Sequence, residues 1–175
     1  MKPKLKILKQ TCLCFLMGVI SILSQTQPSP AQEVKKVACF DQRIWVQHTP
    51  VSDGSSIVIE YTLEDETLDN WTELVTGHVF PSDRTVKEME QGMKAQLMQD
   101  CPSIHWRIIS EKENDVMFEW GNDRCSNLDD QHEIVRTFIQ GNQMSMIRYT
   151  TKKIPISPET REEWITIFSK APFNE

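Results

Sequence analysis

Ile57, Ile59, Tyr61 and Leu63 alternate with Val58, Glu60 and Thr62, a period of two that predicts a strand with one apolar face. Asp53-Gly54-Ser55 before it is turn chemistry. Further upstream, Pro50 closes a shorter apolar run, Ile44-Trp45-Val46, expected as a short strand or as packing across the sheet. From Trp71 to Phe80 apolar residues fall on both faces, with Trp71, Val75 and Val79 on one and Leu74 and Phe80 on the other. Burial on both sides predicts a central strand, stopped by Pro81. Ile104, Trp106 and Ile108, then Val116, Phe118 and Trp120, alternate around a polar turn and predict a hairpin. A second hairpin, His132 to Gln140 and Met144 to Thr151, is predicted around Gly141-Asn142, residue types that accept the positive φ of tight turns.

Between the central strand and the first hairpin the period changes to that of a helix. Thr85-Val86-Lys87-Glu88 matches a capping box, and Val86, Met89, Met93 and Leu97 recur at helical spacing to about Asp100, where Cys101-Pro102 breaks the run. The methionines of this stripe are read as core, not as a docking face. Ser157-Pro158-Glu159 starts a second helix: serine caps, proline loses no hydrogen bond in the first turn, and glutamate suits the positive end of the dipole. Trp164, Ile165 and Phe168 form its apolar face, and Pro172 is expected to end it. These elements predict an α+β domain over residues 32–175, an antiparallel sheet of about six strands covered by two amphipathic helices.

The first 31 residues read differently. Lys2, Lys4, Lys6 and Lys9 precede an apolar run from Leu13 to Leu23, and Ser29-Pro30-Ala31 offers the small residues that a signal peptidase reads. The run is shorter than the ~20 residues of a bilayer span, so residues 1–31 are expected to be a signal peptide cleaved after Ala31, leaving no stable membrane span. Residues 32–36 are expected as a mobile start of the mature chain. Of 19 basic and 25 acidic residues the signal removes four lysines and no acids, leaving a net charge of −10. That balance argues against nucleic acid as a partner. Cys12 and Cys14 leave with the signal, and Cys39, Cys101 and Cys125 remain. Export, to a periplasm, cell envelope or secreted space, favours one disulfide, and Cys101 with Cys125 is the expected pair. Cys39 is then a reduced thiol, a link to another chain or an alternative partner in the bridge.

Little in the chain speaks for catalysis. There is no Gly-x-Ser-x-Gly, no phosphate loop, no GxGxxG and no other sign of a cofactor. The acidic run Glu64-Asp65-Glu66 with Asp69 lacks the central glycine of a calcium loop and reads as a solvated connector. His48, His78, His105 and His132 show no paired metal spacing. His132-Glu133 is the nearest approach to a site, because a metal or a general base wants imidazole beside carboxylate, and His105 is a further candidate. Five tryptophans are many for this length; Trp106 and Trp120 are expected to pair across the hairpin, and with Trp71 and Glu73 they are the candidate ligand-binding residues. Trp71 is expected to anchor the acidic connector to the core, and Glu73, on the same face, to pair with a basic group or line a cavity.

Glu60, the block Asn70-Trp71-Thr72-Glu73-Leu74-Val75-Thr76, Cys101-Pro102, Ile139-Gln140-Gly141 and the final helix with Trp164 together resemble an uncharacterised family of small exported bacterial proteins. The resemblance covers most of residues 32–175. It implies export and carries no activity with it. Some similar sequences have a cysteine after the last helix, where this chain reads Ala171-Pro172-Phe173-Asn174-Glu175. In element order the chain also resembles PsbP-like folds, whose members are mostly non-catalytic binding or assembly subunits, an analogy of fold alone. The expected function is therefore non-catalytic binding of a protein partner or a small ligand. The alternatives are a small hydrolase or metal-dependent enzyme using His132, Glu133 or His105, and a redox protein centred on Cys39.

Overall fold

Gly141 takes φ +63°, a region that residues with a Cβ enter at a cost of ~1 kcal/mol. The strands it joins pair antiparallel from Gln140 with Gln143 to His132 with Thr151. This two-residue turn closes the hairpin at the heart of the molecule. In the computed structural model, which describes residues 36–126 and 128–170, the elements run β1 (Val37–Ala38), β2 (Trp45–Gln47), β3 (Val51–Ser52), β4 (Ile57–Leu63), β5 (Glu73–Pro81), α1 (Val86–Asp100), β6 (His105–Lys112), β7 (Asp115–Asn122), β8 (Gln131–Gln140), β9 (Gln143–Thr151) and α2 (Pro158–Lys170). The expected signal peptide and Pro172 lie outside the described residues.

The strands form one nine-stranded sheet in the order β1-β2-β4-β5-β9-β8-β7-β6, with β3 paired to β4. Every pairing is antiparallel. Strands β6 to β9 are a meander, and β9 then zips along the whole of β5, from Glu73 with Thr151 to Pro81 with Gln143. Helix α1 carries the chain from β5, in the middle of the sheet, to β6 at its far edge.

Period-two alternation sends neighbouring residues of a strand to opposite faces, and here each face has its own core. Trp164 and Phe168 of α2 pack with Trp45, Val75, Met117, Ile134, Ile147 and Tyr149. On the other face Val86, Met89, Met93 and Leu97 of α1 pack with Val116, Phe118, Trp120, Val135 and Met144. Met117 and Phe118, like Ile134 and Val135, are adjacent in sequence and belong to different cores. One helix therefore lies on each face, and each fully buried large side chain contributes about 2 kcal/mol. The Thr85–Glu88 capping box forms as the sequence predicts, and Ser157 Oγ accepts a hydrogen bond from the Thr160 amide at 3.1 Å to start α2.

The expected α+β domain with about six strands is corrected by this sheet. Among the described residues the fold is predominantly antiparallel β, with nine strands and two short helices. The six long strands, β4 to β9, are those with a local signal in sequence, whether alternation, apolar residues on both faces or a flanking tight turn. β1, β2 and β3 have two or three residues each, too few for a period of two to register, and they are strands because β2 and β3 pair with β4 and β1 with β2. Trp71 needs a second correction. It precedes β5 and is only half-buried, with the Lys152 ammonium 4.1 Å from its ring centre, so a cation–π contact holds it and not the core. The acidic connector is tied down by Glu66, whose carboxylate accepts from the Thr72 amide at 3.0 Å and the Thr72 hydroxyl at 2.5 Å.

Candidate functional site

Among the described residues, Glu73 and Glu119 each centre a cluster of charged side chains on the α2 face of the sheet, the first closed and the second open. The closed one is centred on Glu73, 3% exposed at the start of β5. Its carboxylate accepts from Arg43 Nη1 at 3.0 Å and Nη2 at 2.7 Å, from the Tyr149 hydroxyl at 2.7 Å and from Lys153 Nζ at 2.6 Å. Asp41 accepts from Arg43 Nε at 2.8 Å and Trp45 Nε1 at 2.9 Å, and also pairs with Arg43 Nη2. Burial alone would raise the Glu73 carboxyl; the hydrogen bonds from Arg43, Lys153 and Tyr149 overrule it and hold it at about 2. The same contact with Glu73 raises Arg43, while burial and then Glu73 raise the Tyr149 hydroxyl. Two cations and two carboxylates balance, and the oxygens of Glu73 are fully taken. This is a clamp joining the β1–β2 loop, β5, β9 and the segment after it.

The open cluster is centred on Glu119 in β7. Glu119 shares its face with Met117 and Gly121, and the register places Arg107 and His105 of β6 and His132 of β8 beside it: Arg107 opposite Glu119, and His105 and His132 on either side of Gly121. Arg161 reaches in from α2, donating through Nε at 2.6 Å and Nη2 at 3.0 Å to the Glu119 carboxylate. Arg107 pairs with the same carboxylate through Nε at 2.5 Å. His132 Nε2 is buried 3.4 Å from Glu119, an ion-pair separation without the alignment of a hydrogen bond.

Glycine at 121 makes room for the imidazole, since a Cβ there would stand 3.0 Å from His132 Nδ1. Over this floor opens a cavity of about 380 Å³ lined by His105, Gly121, His132 and the apolar wall Ile154, Pro155 and Ile156, with Asn122, Asp123 and Gln131 at its polar side. A second cavity of about 300 Å³ shares His105 and His132 and continues toward Arg107, Glu119 and Arg161. Together they form a groove whose apolar and charged ends meet at the two histidines.

The expected pairing of His132 with Glu133 does not occur. Consecutive strand residues face opposite ways, and Glu133 lies on the α1 face, 4% exposed, accepting from Trp120 Nε1 at 2.9 Å and Thr150 Oγ1 at 3.0 Å. The carboxylate beside His132 is Glu119, which the sequence reading missed. Its signal was present: a lone acid inside Met117-Phe118-Glu119-Trp120, a run otherwise of core residues, requires a buried partner. Trp106 and Trp120 do stand directly opposite one another. Both turn to the α1 face, where Trp106 stacks on Phe118 at 4.6 Å and donates to Glu90 at 2.8 Å. Of the four residues expected to bind ligand, Glu73 lies in the closed clamp, Trp71 lies under Lys152, and Trp106 and Trp120 turn their rings to α1 while also being among the residues that line the second cavity.

His48 is hydrogen-bonded to Thr62 at 2.9 Å. His78 lies tilted against Phe80 with ring centres 4.5 Å apart, and burial, then the nearby Arg148 charge, push its imidazole below the usual value. Among the described residues no group of three or more His, Cys, Asp and Glu side chains is placed to hold a metal ion. Cys101, which caps α1, and Cys125 form a disulfide with Cα atoms 5.7 Å apart, and Cys39 is exposed outside it. Among the described residues no helix is long and apolar enough to cross a membrane. No protein-family model matches the chain, and no curated protein matches it.

Proposed function

We propose that this chain is a non-catalytic binding protein, exported to the periplasm, cell envelope or secreted space, that holds a small ligand in the groove beside His105 and His132. The observation that carries the reading is the cavity of about 380 Å³. Its volume falls in the range of small-ligand sites, and its largely apolar wall with a few convergent polar groups is the composition such sites share. A binding role fits the charged end better than acid–base chemistry. The carboxylate nearest His132 is already engaged by Arg161 and Arg107, so it is not available to orient the imidazole as a general base. For export, the supports are the signal-like first 31 residues, the family resemblance and a Cys101–Cys125 pair of the kind that persists in oxidising compartments.

The test is a screen of mixed small fragments against the isotopically labelled protein by heteronuclear NMR. Binding in the groove shifts the amides of His105, Gly121, His132 and Ile156 together. Hits that scatter over the surface, or that leave this set unmoved, overturn the proposal.

A further inference from the structure

We infer that the groove selects a small amphiphilic carboxylate, its apolar body against Ile154, Pro155 and Ile156 and its anionic head on Arg107 and His105. This rests on the reading of the groove as a ligand site and specifies what that site takes. The two cavities differ in chemistry and share His105 and His132, so a molecule spanning them meets an apolar wall at one end and guanidinium groups at the other.

Donor bookkeeping places the head group. Arg161 is largely engaged: Nε and Nη2 hold Glu119, and Nη1 donates to Glu162 at 2.6 Å, so each of its three nitrogens already has a carboxylate partner. Arg107 comes closest to Glu119 through Nε, and its side chain is 59% exposed. Its two Nη groups make no hydrogen bond to any described residue, and neither does the imidazole of His105. These two residues are two apart on β6 and so share a face. The planar fork of an arginine matches a carboxylate through two parallel hydrogen bonds, which a point charge does not do.

Charge decides the valence of the head. Arg107 and Arg161 stand against Glu119 and Glu162, so the formal charges at this end balance, in a chain whose net charge is −6. The attraction for an anion is the unfilled fork of Arg107, with no surplus of positive charge behind it. Asp123 at the rim, paired with Arg124 at 3.3 Å, and Glu162 beside Arg161 both oppose a more highly charged group. The balance fits a monoanion and disfavours a dianionic phosphate.

Calorimetric titration of the purified protein with octanoate, octanol, octylammonium and octyl phosphate tests this. Octanoate is expected to bind at least about tenfold tighter than octanol, as one charge-assisted fork requires. Octyl phosphate should bind more weakly than octanoate, and octylammonium not at all. Arg107→Gln, at an exposed position on an edge strand, should cost about tenfold for octanoate and leave octanol unchanged, with His105→Ala acting in the same direction and an unaltered circular dichroism spectrum certifying the fold. Equal binding of octanoate and octanol with a silent Arg107→Gln overturns the head-group assignment and leaves the groove itself a ligand site. Tighter binding of octyl phosphate overturns the choice of a carboxylate. Failure of all four ligands overturns the inference, and the fragment screen then decides separately whether the groove binds anything.

Discussion

Glu73 shows what a single side chain is worth here. Breaking a wholly buried ion pair costs several kcal/mol because the abandoned charge stays unsolvated. Arg43 and Lys153, however, keep 39% and 65% of their side-chain surface in water. Glu73→Gln is therefore expected to cost less, about 2 kcal/mol, measured by urea denaturation near neutral pH. The carboxyl sits at about 2 in the folded protein against 4.5 in the unfolded chain. Its contribution is complete above the unfolded value and is lost as pH falls through the folded one. The gap between the parent and Glu73→Gln should thus narrow as the denaturation is repeated at successively lower pH; a gap that stays constant contradicts the clamp. Glu73 was legible as a residue that would either pair with a cation or line a cavity, because a carboxylate on the Val75 face of a central strand needs one or the other. Which cations answer was not legible. Arg43 and Lys153 are 30 and 80 residues away in sequence, and only the folded sheet brings them together.

At the scale of elements, α1 is pinned at both ends, by the Thr85–Glu88 capping box and by the Cys101–Cys125 disulfide. The bridge closes a loop of 24 residues and sits on a side chain only 2% exposed. Replacing both cysteines with alanine is expected to cost about 3 kcal/mol, visible as a lowered denaturation midpoint with an unchanged far-ultraviolet spectrum. Both helices and all six long strands could be read from periodicity, caps and turn residues, since these are local causes. Of the three shortest strands, Trp45–Gln47 falls in a run expected as a short strand or as packing across the sheet, whereas Val37–Ala38 and Val51–Ser52 hold no pattern that a loop would lack. The candidate site was half legible for the same reason. His105 and His132 were chosen as residue types, and alternation alone could have sent Glu133 to the opposite face. The approach of Arg161 depends on where α2 lies on the sheet, and no local pattern states that.

Across the whole molecule, one sheet serves two cores. Strands β7, β8 and β9 present side chains to both helices, so neither core exists without the other. Phe118→Ala, on the α1 side, and Phe168→Ala, on the α2 side, each remove a side chain with no exposed surface. Each is expected to cost about 3 to 4 kcal/mol. Tryptophan fluorescence, dominated by different residues on the two faces, and circular dichroism should still report one shared transition in both variants; two separated transitions would show independent cores. The long zipper between β5 and β9 adds a consequence in time. The meander β6 to β9 is built from sequence-local hairpins, whereas Glu73 meets Thr151 only across the full span of α1 and that meander. Closing so large a loop is entropically costly until its far side exists. The hairpins should therefore assemble early and β5 dock late, so that in pulse-labelled hydrogen exchange during refolding the amides of β7 and β8 gain protection before those of β4 and β5. The acidic connector, the clamp at Glu73 and the first strands would then be the last parts of the chain to become native.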